Sequence, residues 1–193
     1  MYYTFIESFA ALLVLVPAFL ILNRVRFHSR KQTSLYFLFA LYLAAVYHLT
    51  GLPTVQFITL DINANLIPRD IFGTELILSL LNIAMFIPLG FFLPLLCDRY
   101  RRLKHTLLFG LGATMFIELA QLFTYRATDI NDVITNTAGA LLGYLLFRLF
   151  KKPLSKVVNP ERKTAGLWCT FAVTAAGMFF VQHLIATFLY GIT

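Results

Sequence analysis

Several polar side chains that can bind ligands or transfer protons interrupt otherwise apolar stretches of this sequence. In chain order they are Asn82, Glu118, Gln121, Asp129, Asp132 and Asn136. A carboxylate in a water-poor site can act as a general base, and an amide side chain can orient a ligand through hydrogen bonds. Glu118, Asp129 and Asp132 are therefore candidate catalytic residues, and the amides are candidate ligand-binding residues.

Helical spacing gathers these residues into two stripes. The first stripe contains Thr114, Glu118, Gln121 and Tyr125. The second contains Asp132, Asn136, Gly139 and Gly143. Each stripe advances by steps of four, three and four residues, which places its members on one face of a helix. The connection between the two helices is short, so we predict antiparallel neighbours whose polar stripes face each other. The paired glycines of the second stripe permit a close helix contact.

The composition indicates that these helices lie in lipid. Of the 193 residues, 59% are hydrophobic and 13% are charged, whereas a soluble domain carries about 25% charged residues. Long apolar runs, each sufficient to cross about 30 Å of hydrocarbon, recur along the chain. They cover residues 3–22, 35–52, 76–96, 105–124, 133–150 and 167–190. We predict an all-α fold, a polytopic membrane helical bundle of about six transmembrane helices, forming a single membrane domain over residues 1–193.

The positive charges predict the orientation of the bundle. The formal net charge is +7, and all 16 Lys and Arg residues except Arg69 and Arg126 fall in or beside the first, third and fifth connectors. Basic connectors stay in the cytoplasm under the positive-inside rule. Both termini are therefore predicted to be extracytoplasmic, in a multi-pass protein of the cell membrane. Membrane lipids, anionic headgroups among them, are the expected partners, and nucleic acid is not. The polar stripes then lie near the outer leaflet, with Arg126 above them.

Each of these polar residues also has a structural explanation. Glu118 facing lipid would cost about 3 kcal/mol, so it must pair, protonate or meet water, and a purely structural hydrogen bond would satisfy it. Asp129 can cap the fifth helix, with Asp132 three residues later as the second member of a capping box. Pro88 should kink the third helix, which either opens a cavity at Asn82 or only adjusts the packing.

An ordered set of motifs in the third to fifth helices and their outer loops resembles a known family. The motifs are Asn65-Leu66-Ile67-Pro68, Asn82 with Phe86-Ile87-Pro88-Leu89-Gly90, Glu118-x-x-Gln121, and Arg126-x-x-Asp129-x-x-Asp132-x-x-x-Asn136-x-x-Gly139-x-x-x-Gly143. Together they resemble the VanZ-like family, named after an accessory glycopeptide (teicoplanin) resistance protein, over residues 60–150. The flanking helices at 3–22, 35–52 and 167–190 are predicted to be additions to that core. Leu81, Thr114 and Asn131 stand where the family often has Gly, Ser and a second acid.

The resemblance implies a bacterial cell membrane and a role in the cell envelope. It implies no particular reaction, and it is not by itself evidence of antibiotic resistance. Asn65 joins the candidate site through its motif. The candidate ligand-binding residues are then Asn65, Asn82, Gln121, Arg126 and Asn136.

Three functions remain open from the sequence. The first is a site near the outer leaflet that binds or acts on a cell-envelope lipid, a lipid-linked cell-wall precursor or a glycopeptide. In an enzyme, Glu118 or an aspartate would be the general base and Arg126 would stabilise negative charge. The sequence leaves open whether any reaction is catalysed, and it identifies no cofactor, although oxygen ligands could hold a divalent cation. The second function is a transporter or flippase of an envelope amphiphile, and the third is a non-catalytic membrane scaffold.

Overall fold

The helices of the computed structural model follow the apolar runs of the sequence. The structure describes residues 2–55, 58, 60, 64–65, 76–124, 128–157 and 164–192. Within these residues the α-helices are α1 (Tyr2–Leu22), α2 (Arg30–Thr50), α3 (Leu76–Leu96), α4 (Leu103–Gln121), α5 (Ile130–Val157), α6 (Ala165–Ala176) and α7 (His183–Ile192). Two short strands, β1 (Ala64–Asn65) and β2 (Thr128–Asp129), pair in parallel.

In the described part of the chain, 6 helical segments are long and apolar enough to cross a membrane. They confirm the predicted all-α membrane bundle. Two of these segments contain π-helical turns, because Asn23–Phe27 continues α1 and Gly177–Gln182 joins α6 to α7. α3 has the predicted bounds, whereas α5 runs past the predicted end at residue 150 through Lys151 and Lys152. A helix can extend beyond the hydrocarbon in this way because its backbone hydrogen bonds are internal and do not depend on an apolar side chain.

The chain divides into two compact units. The central unit is Thr59–Thr164, which contains α3, α4 and α5. The terminal unit combines Met1–Ile58 with Ala165–Thr193. All of the candidate site residues named from the sequence fall in the central unit, and the single membrane domain stays a prediction.

In the central unit, α5 packs against α3 with almost no space between the two backbones. A Cβ atom placed on Gly139 would lie 2.3 Å from the carbonyl oxygen of Ile83, and one on Gly143 would lie 2.0 Å from that of Ile87. Atoms cannot approach so closely, so only glycine permits this contact. The close glycine contact predicted from the spacing therefore exists, and its partner is α3.

α5 also packs against α4. A Cβ atom on Gly110 would lie 2.9 Å from the Cβ of Ala140. Thr114, Glu118 and Gln121 continue the face of α4 that Gly110 begins, and all three are buried. The polar stripe of α4 therefore faces the interior of the central unit, as its spacing predicted, and α5 lies against both α3 and α4.

The terminal unit is held by apolar and aromatic contacts between α1, α2 and the last span. The Phe27 ring stacks on Tyr36 with centroids 4.7 Å apart, and Phe39 meets Phe171 edge-on at 5.5 Å. A Cβ atom on Gly177 would lie 2.7 Å from the Val14 side chain. These contacts join the two separated chain segments of the unit into one packed body.

Candidate functional site

The first residues of α5 are held by side chains on both sides of the connection from α4. Asp129 directly precedes the helix, and its Oδ1 atom accepts a hydrogen bond from the backbone N–H of Asn131 at 2.9 Å. A bond from the cap side chain to the second helical N–H is the usual geometry of a helix N-cap. The capping role predicted for Asp129 is therefore confirmed, and it occupies one of that carboxylate's oxygens.

Glu118 completes the cap from the neighbouring helix. Its Oε2 atom accepts the backbone N–H of Asp129 at 2.8 Å, and the residue is only 4% exposed. In a capping box, the third helical residue would accept this N–H. The alternative in which Asp132 closes a capping box is therefore not the arrangement found, because a carboxylate from α4 accepts the N–H that Asp132 would have used.

Asp132 is instead directed to α3. Its Oδ1 atom accepts a hydrogen bond from the Nδ2 atom of Asn82 at 2.7 Å, and both residues are half-buried. The two residues are separated by 50 positions in the sequence. This bond joins the third and fifth helices in the half of α3 that precedes Pro88.

One turn further along α5, Asn136 reaches α4. Its Nδ2 atom donates to the hydroxyl of Thr114 at 3.0 Å, and the two residues are 2% and 0% exposed. The Oδ1 atom of Asn136 has no hydrogen-bond partner among the described residues. Because the Thr114 hydroxyl can either accept or donate, one polar atom of the amide is left over in either orientation. A buried amide atom without a partner is costly, and it marks a position that a ligand could satisfy.

The remaining candidates divide between the site's edge and the undescribed residues. Gln121 is buried at the end of α4. Its backbone carbonyl accepts hydrogen bonds from both the N–H and the hydroxyl of Thr124, at 2.9 and 3.0 Å. Asn65 lies opposite Asp129 in the β1–β2 pair, which brings the second connector to the start of α5. Arg126, predicted to lie above the stripes, falls outside the described residues.

Three residues at the cluster were not among the candidates chosen from the sequence. Thr114 receives the Asn136 amide although the stripe spacing had already placed it beside Glu118. Asn131 is 3% exposed, and Thr135, also 3% exposed, donates its hydroxyl to the Asn131 carbonyl at 2.8 Å. The spacing of Thr114 could have identified it. Asn131 stands where the family often has a second acid, and Thr135 lies three residues after Asp132 and four before Gly139, so the sequence offered a signal for each of them as well.

The cluster as a whole is rich in hydrogen-bond acceptors. We use the name polar cluster for Asn82, Thr114, Glu118, Asp129, Asp132 and Asn136. The negative charges of Asp129 and Asp132 both act on the Glu118 carboxylate. Three carboxylates in one region repel each other when ionised and favour a ligand that donates hydrogen bonds or carries positive charge. Among the described residues, no three His, Cys, Asp or Glu side chains are placed to hold a metal ion.

Comparison with known proteins gives one match. The model of the VanZ/LLP1 family matches residues 9–151, more than half of the chain. The match contains every member of the polar cluster, and it begins within α1, so it extends well before residue 60, where the sequence motifs begin. No curated protein and no solved structure matches the chain.

Proposed function

The chain belongs to the VanZ/LLP1 family, and from this membership we propose that it binds a cell-envelope amphiphile at the polar cluster. The amphiphile would be an envelope lipid, a lipid-linked cell-wall precursor or a glycopeptide. The proposed site lies near the extracytoplasmic side of the cell membrane, with both termini on that side. Whether a reaction follows binding is a separate question, and binding is the part that the geometry supports.

The observation that carries the proposal is the buried amide of Asn136. Its Oδ1 atom lies in the interior of a helical bundle without a hydrogen-bond partner among the described residues. Three helices direct further polar groups to the same region, through Asn82, Glu118 and Asp132. Polar side chains inside membrane spans are costly and are usually retained for function.

The chemistry of the cluster restricts the ligand. Carboxylate and carbonyl oxygens accept hydrogen bonds, so the matching groups are hydroxyls, amides or ammonium groups. Sugar hydroxyls and amino groups of envelope lipids and glycopeptides belong to these classes. The apolar part of the same molecule would remain in the bilayer, which explains why a polar site would be built inside a membrane span.

The test is lipid binding by a variant that changes the charge of the cluster and keeps its hydrogen bonds. In Glu118→Gln, the side-chain carbonyl can still accept the Asp129 N–H, so folding should be unchanged. We expect the purified variant to lose co-purifying amphiphile in native mass spectrometry, and to lose binding of added lipid-linked precursor or teicoplanin. Glu161→Gln makes the same change in the fifth connector and should bind as the unmodified protein does. Unchanged binding by Glu118→Gln would contradict the role of this carboxylate.

The alternative that a specific observation supports is a membrane scaffold. The side-chain hydrogen bonds Asn82–Asp132 and Asn136–Thr114 connect two helices each, and they would order the bundle without any ligand. A scaffold predicts that Asn136→Ala lowers the melting temperature in detergent and leaves lipid binding as it was. A binding site predicts instead that Asn136→Ala reduces ligand retention more than it lowers the melting temperature.

A further inference from the structure

The opposite end of α4 carries a second set of features that the polar cluster does not use. A 3₁₀ turn, Asp98–Arg101, connects α3 to α4, and it is fixed to the helices around it. The Tyr144 hydroxyl of α5 donates to the Arg101 carbonyl at 2.8 Å, and the Thr106 hydroxyl donates to the Tyr100 carbonyl at 2.6 Å. The turn therefore presents its charged side chains from a fixed backbone.

A polar cavity of about 380 Å³ lies on this turn, lined by Asp98, Arg99, Arg102 and His105. Asp98 is paired with Arg101, whose Nε atom lies 3.3 Å from its Oδ1 atom. Arg99 and Arg102 have no carboxylate partner among the described residues, so the cavity is left with positive charge. The Nδ1 atom of His105 bonds the Arg99 carbonyl at 2.9 Å. A carbonyl only accepts, so this nitrogen carries the proton and holds His105 against the turn.

An apolar cavity of about 420 Å³ begins at the neighbouring residues. It is lined by Leu103, Lys104, Leu107, Leu108, Leu111 and Thr137. From Leu103 to Leu111 the helix advances by roughly 12 Å at 1.5 Å per residue, which is close to the depth of one leaflet's hydrocarbon, about 15 Å. The cavity therefore has the lining and the length that suit an acyl chain from a single leaflet.

We propose that these two cavities bind one anionic phospholipid from the leaflet at which α4 begins. Both cavities are lined by residues at the start of α4, Arg102 and His105 in the polar one and Leu103 and Lys104 in the apolar one, so they begin at the same level of the helix. The phosphate lies between Arg99 and Arg102, and Lys104 approaches it from the apolar side. One acyl chain follows the leucines of α4 towards Thr137. Arginine binds phosphate through bidentate hydrogen bonds, and basic pockets at helix ends bind anionic headgroups.

This phospholipid site is distinct from the proposed amphiphile site. The polar cluster is rich in acceptors and lies at the end of α4 and the start of α5, whereas this site is rich in donors and lies at the start of α4. The α3–α4 turn also contacts α5, since the Arg101 guanidinium lies 6.0 Å from the centroid of the Phe147 ring, so an occupant that holds the turn would also hold this contact. The proposal holds whether or not the polar cluster binds a ligand.

The headgroup test uses the full chain in nanodiscs and counts retained lipids by native mass spectrometry. We expect dioleoyl phosphatidylglycerol to be retained over dioleoyl phosphatidylcholine. Arg99→Gln with Arg102→Gln should weaken phosphatidylglycerol binding about 25-fold, since each basic residue near an anionic surface adds about a factor of five. The matched control is Arg30→Gln with Lys31→Gln, which removes two exposed charges at the start of α2. Equal losses in both pairs would overturn the proposal, because they would show general charge attraction only.

The acyl-chain test fills the apolar cavity while leaving the charges in place. Leu107→Trp adds bulk in the cavity, and we expect it to reduce phosphatidylglycerol retention. Leu149→Trp adds the same bulk to an exposed position on α5 and should have no effect. Inorganic phosphate and glycerol phosphate are soluble probes of the headgroup pocket alone. If they compete as strongly as phosphatidylglycerol, the ligand is a free phosphate and the lipid assignment is wrong. Unchanged retention by Leu107→Trp would also overturn it.

Discussion

At the level of single residues, the polar groups of the central unit are distributed among three helices rather than within one. Glu118 receives the Asp129 N–H, and Asp132 receives the Asn82 amide. Each bond removes a polar group from contact with lipid, and each also fixes the distance between two spans. The same residues therefore order the bundle, and their carboxylates are the class of hydrogen-bond acceptor that the proposed ligand requires.

The bond between Asn82 and Asp132 is predicted to contribute modestly to stability. Asn82→Ala leaves the Asp132 carboxylate without this donor, and interhelical bonds in membranes contribute roughly 0.6 to 1.7 kcal/mol. We expect a loss of about 1 kcal/mol in the free energy of unfolding, measured by unfolding in mixed micelles. Asp132→Asn keeps an acceptor for the amide and should cost less. The double variant Asn82→Ala, Asp132→Ala should lose less than the two single changes added together, and simple additivity would show that the pair does not interact.

The cap on α5 gives a prediction that separates a side chain's shape from its charge. Asp129→Ala removes the acceptor for the Asn131 N–H and should cost about 1 kcal/mol of the free energy of unfolding. Asp129→Asn and Asp129→Ser keep an oxygen at that position, and both should remain near the unmodified protein. Thermal unfolding in detergent measures the three. If the asparagine variant is as unstable as the alanine variant, the role of Asp129 is electrostatic and capping does not explain it.

At the level of elements, glycines decide how closely α3, α4 and α5 approach. A Cβ atom on Gly90 would lie 2.0 Å from the carbonyl oxygen of Ala140, and a Cβ atom on Gly143 would lie at the same distance from the carbonyl oxygen of Ile87. The contact is therefore reciprocal, with glycines from α3 meeting α5 and glycines from α5 meeting α3. Close backbone approach lets the short side chains of Asn82 and Asp132 bridge the two helices directly.

A glycine series tests this packing. Gly143→Ala forces a methyl group into the Ile87 backbone, which cannot move aside as a flexible side chain would. We expect it to destabilise the protein by more than about 2 kcal/mol, at the upper part of the range for overpacked cores. Gly112→Ala is the matched control, because nothing lies within 4 Å of its Cβ position, and it should be neutral or more stable by up to about 1 kcal/mol. Fractional unfolding in increasing SDS compares them, and equal behaviour would refute the packing.

At the level of the whole molecule, the distribution of basic residues predicts how the bundle is inserted. Arg24 and Arg30 flank the first connector, and Arg99 and Arg102 flank the third. Connectors of this kind remain in the cytoplasm, so the second connector, the polar cluster and both termini are expected on the other side.

Reporter fusions test the insertion. Alkaline phosphatase fused after the last residue should be active in bacterial cells, because it folds only outside the cytoplasm, and a fluorescent protein at the same place should be dark. Fusion of the same phosphatase after Ser29 or after Arg102 should be inactive. An active fusion after Arg102 would invert the topology and would move the polar cluster to the cytoplasmic leaflet, whereas the phospholipid site proposed above would only change its leaflet.

How much of the site could be predicted from the sequence depends on the distance over which each residue acts. Asp129 caps the helix that it precedes, and Gly139 and Gly143 make the close contact that their spacing indicates. These are local features that a period of 3.6 residues reveals. The partner of Asp132 cannot be predicted in this way, because local spacing offers only a capping box, whereas a residue of α3, 50 positions away, supplies the donor.

The sequence by itself determined that the helices lie in lipid, how many spans there are, and which face of each helix is polar. Hydrophobic length must match the bilayer, and backbone groups in lipid must be satisfied inside each helix, so these features follow from residues close together in the chain. Only the tertiary structure decided which faces meet. It placed Glu118 on the Asp129 N–H and Asn136 on Thr114, and among the residues that it describes it gave one atom of that amide no partner. Pairing between helices depends on the packing of three backbones at once, and no single helix contains that information.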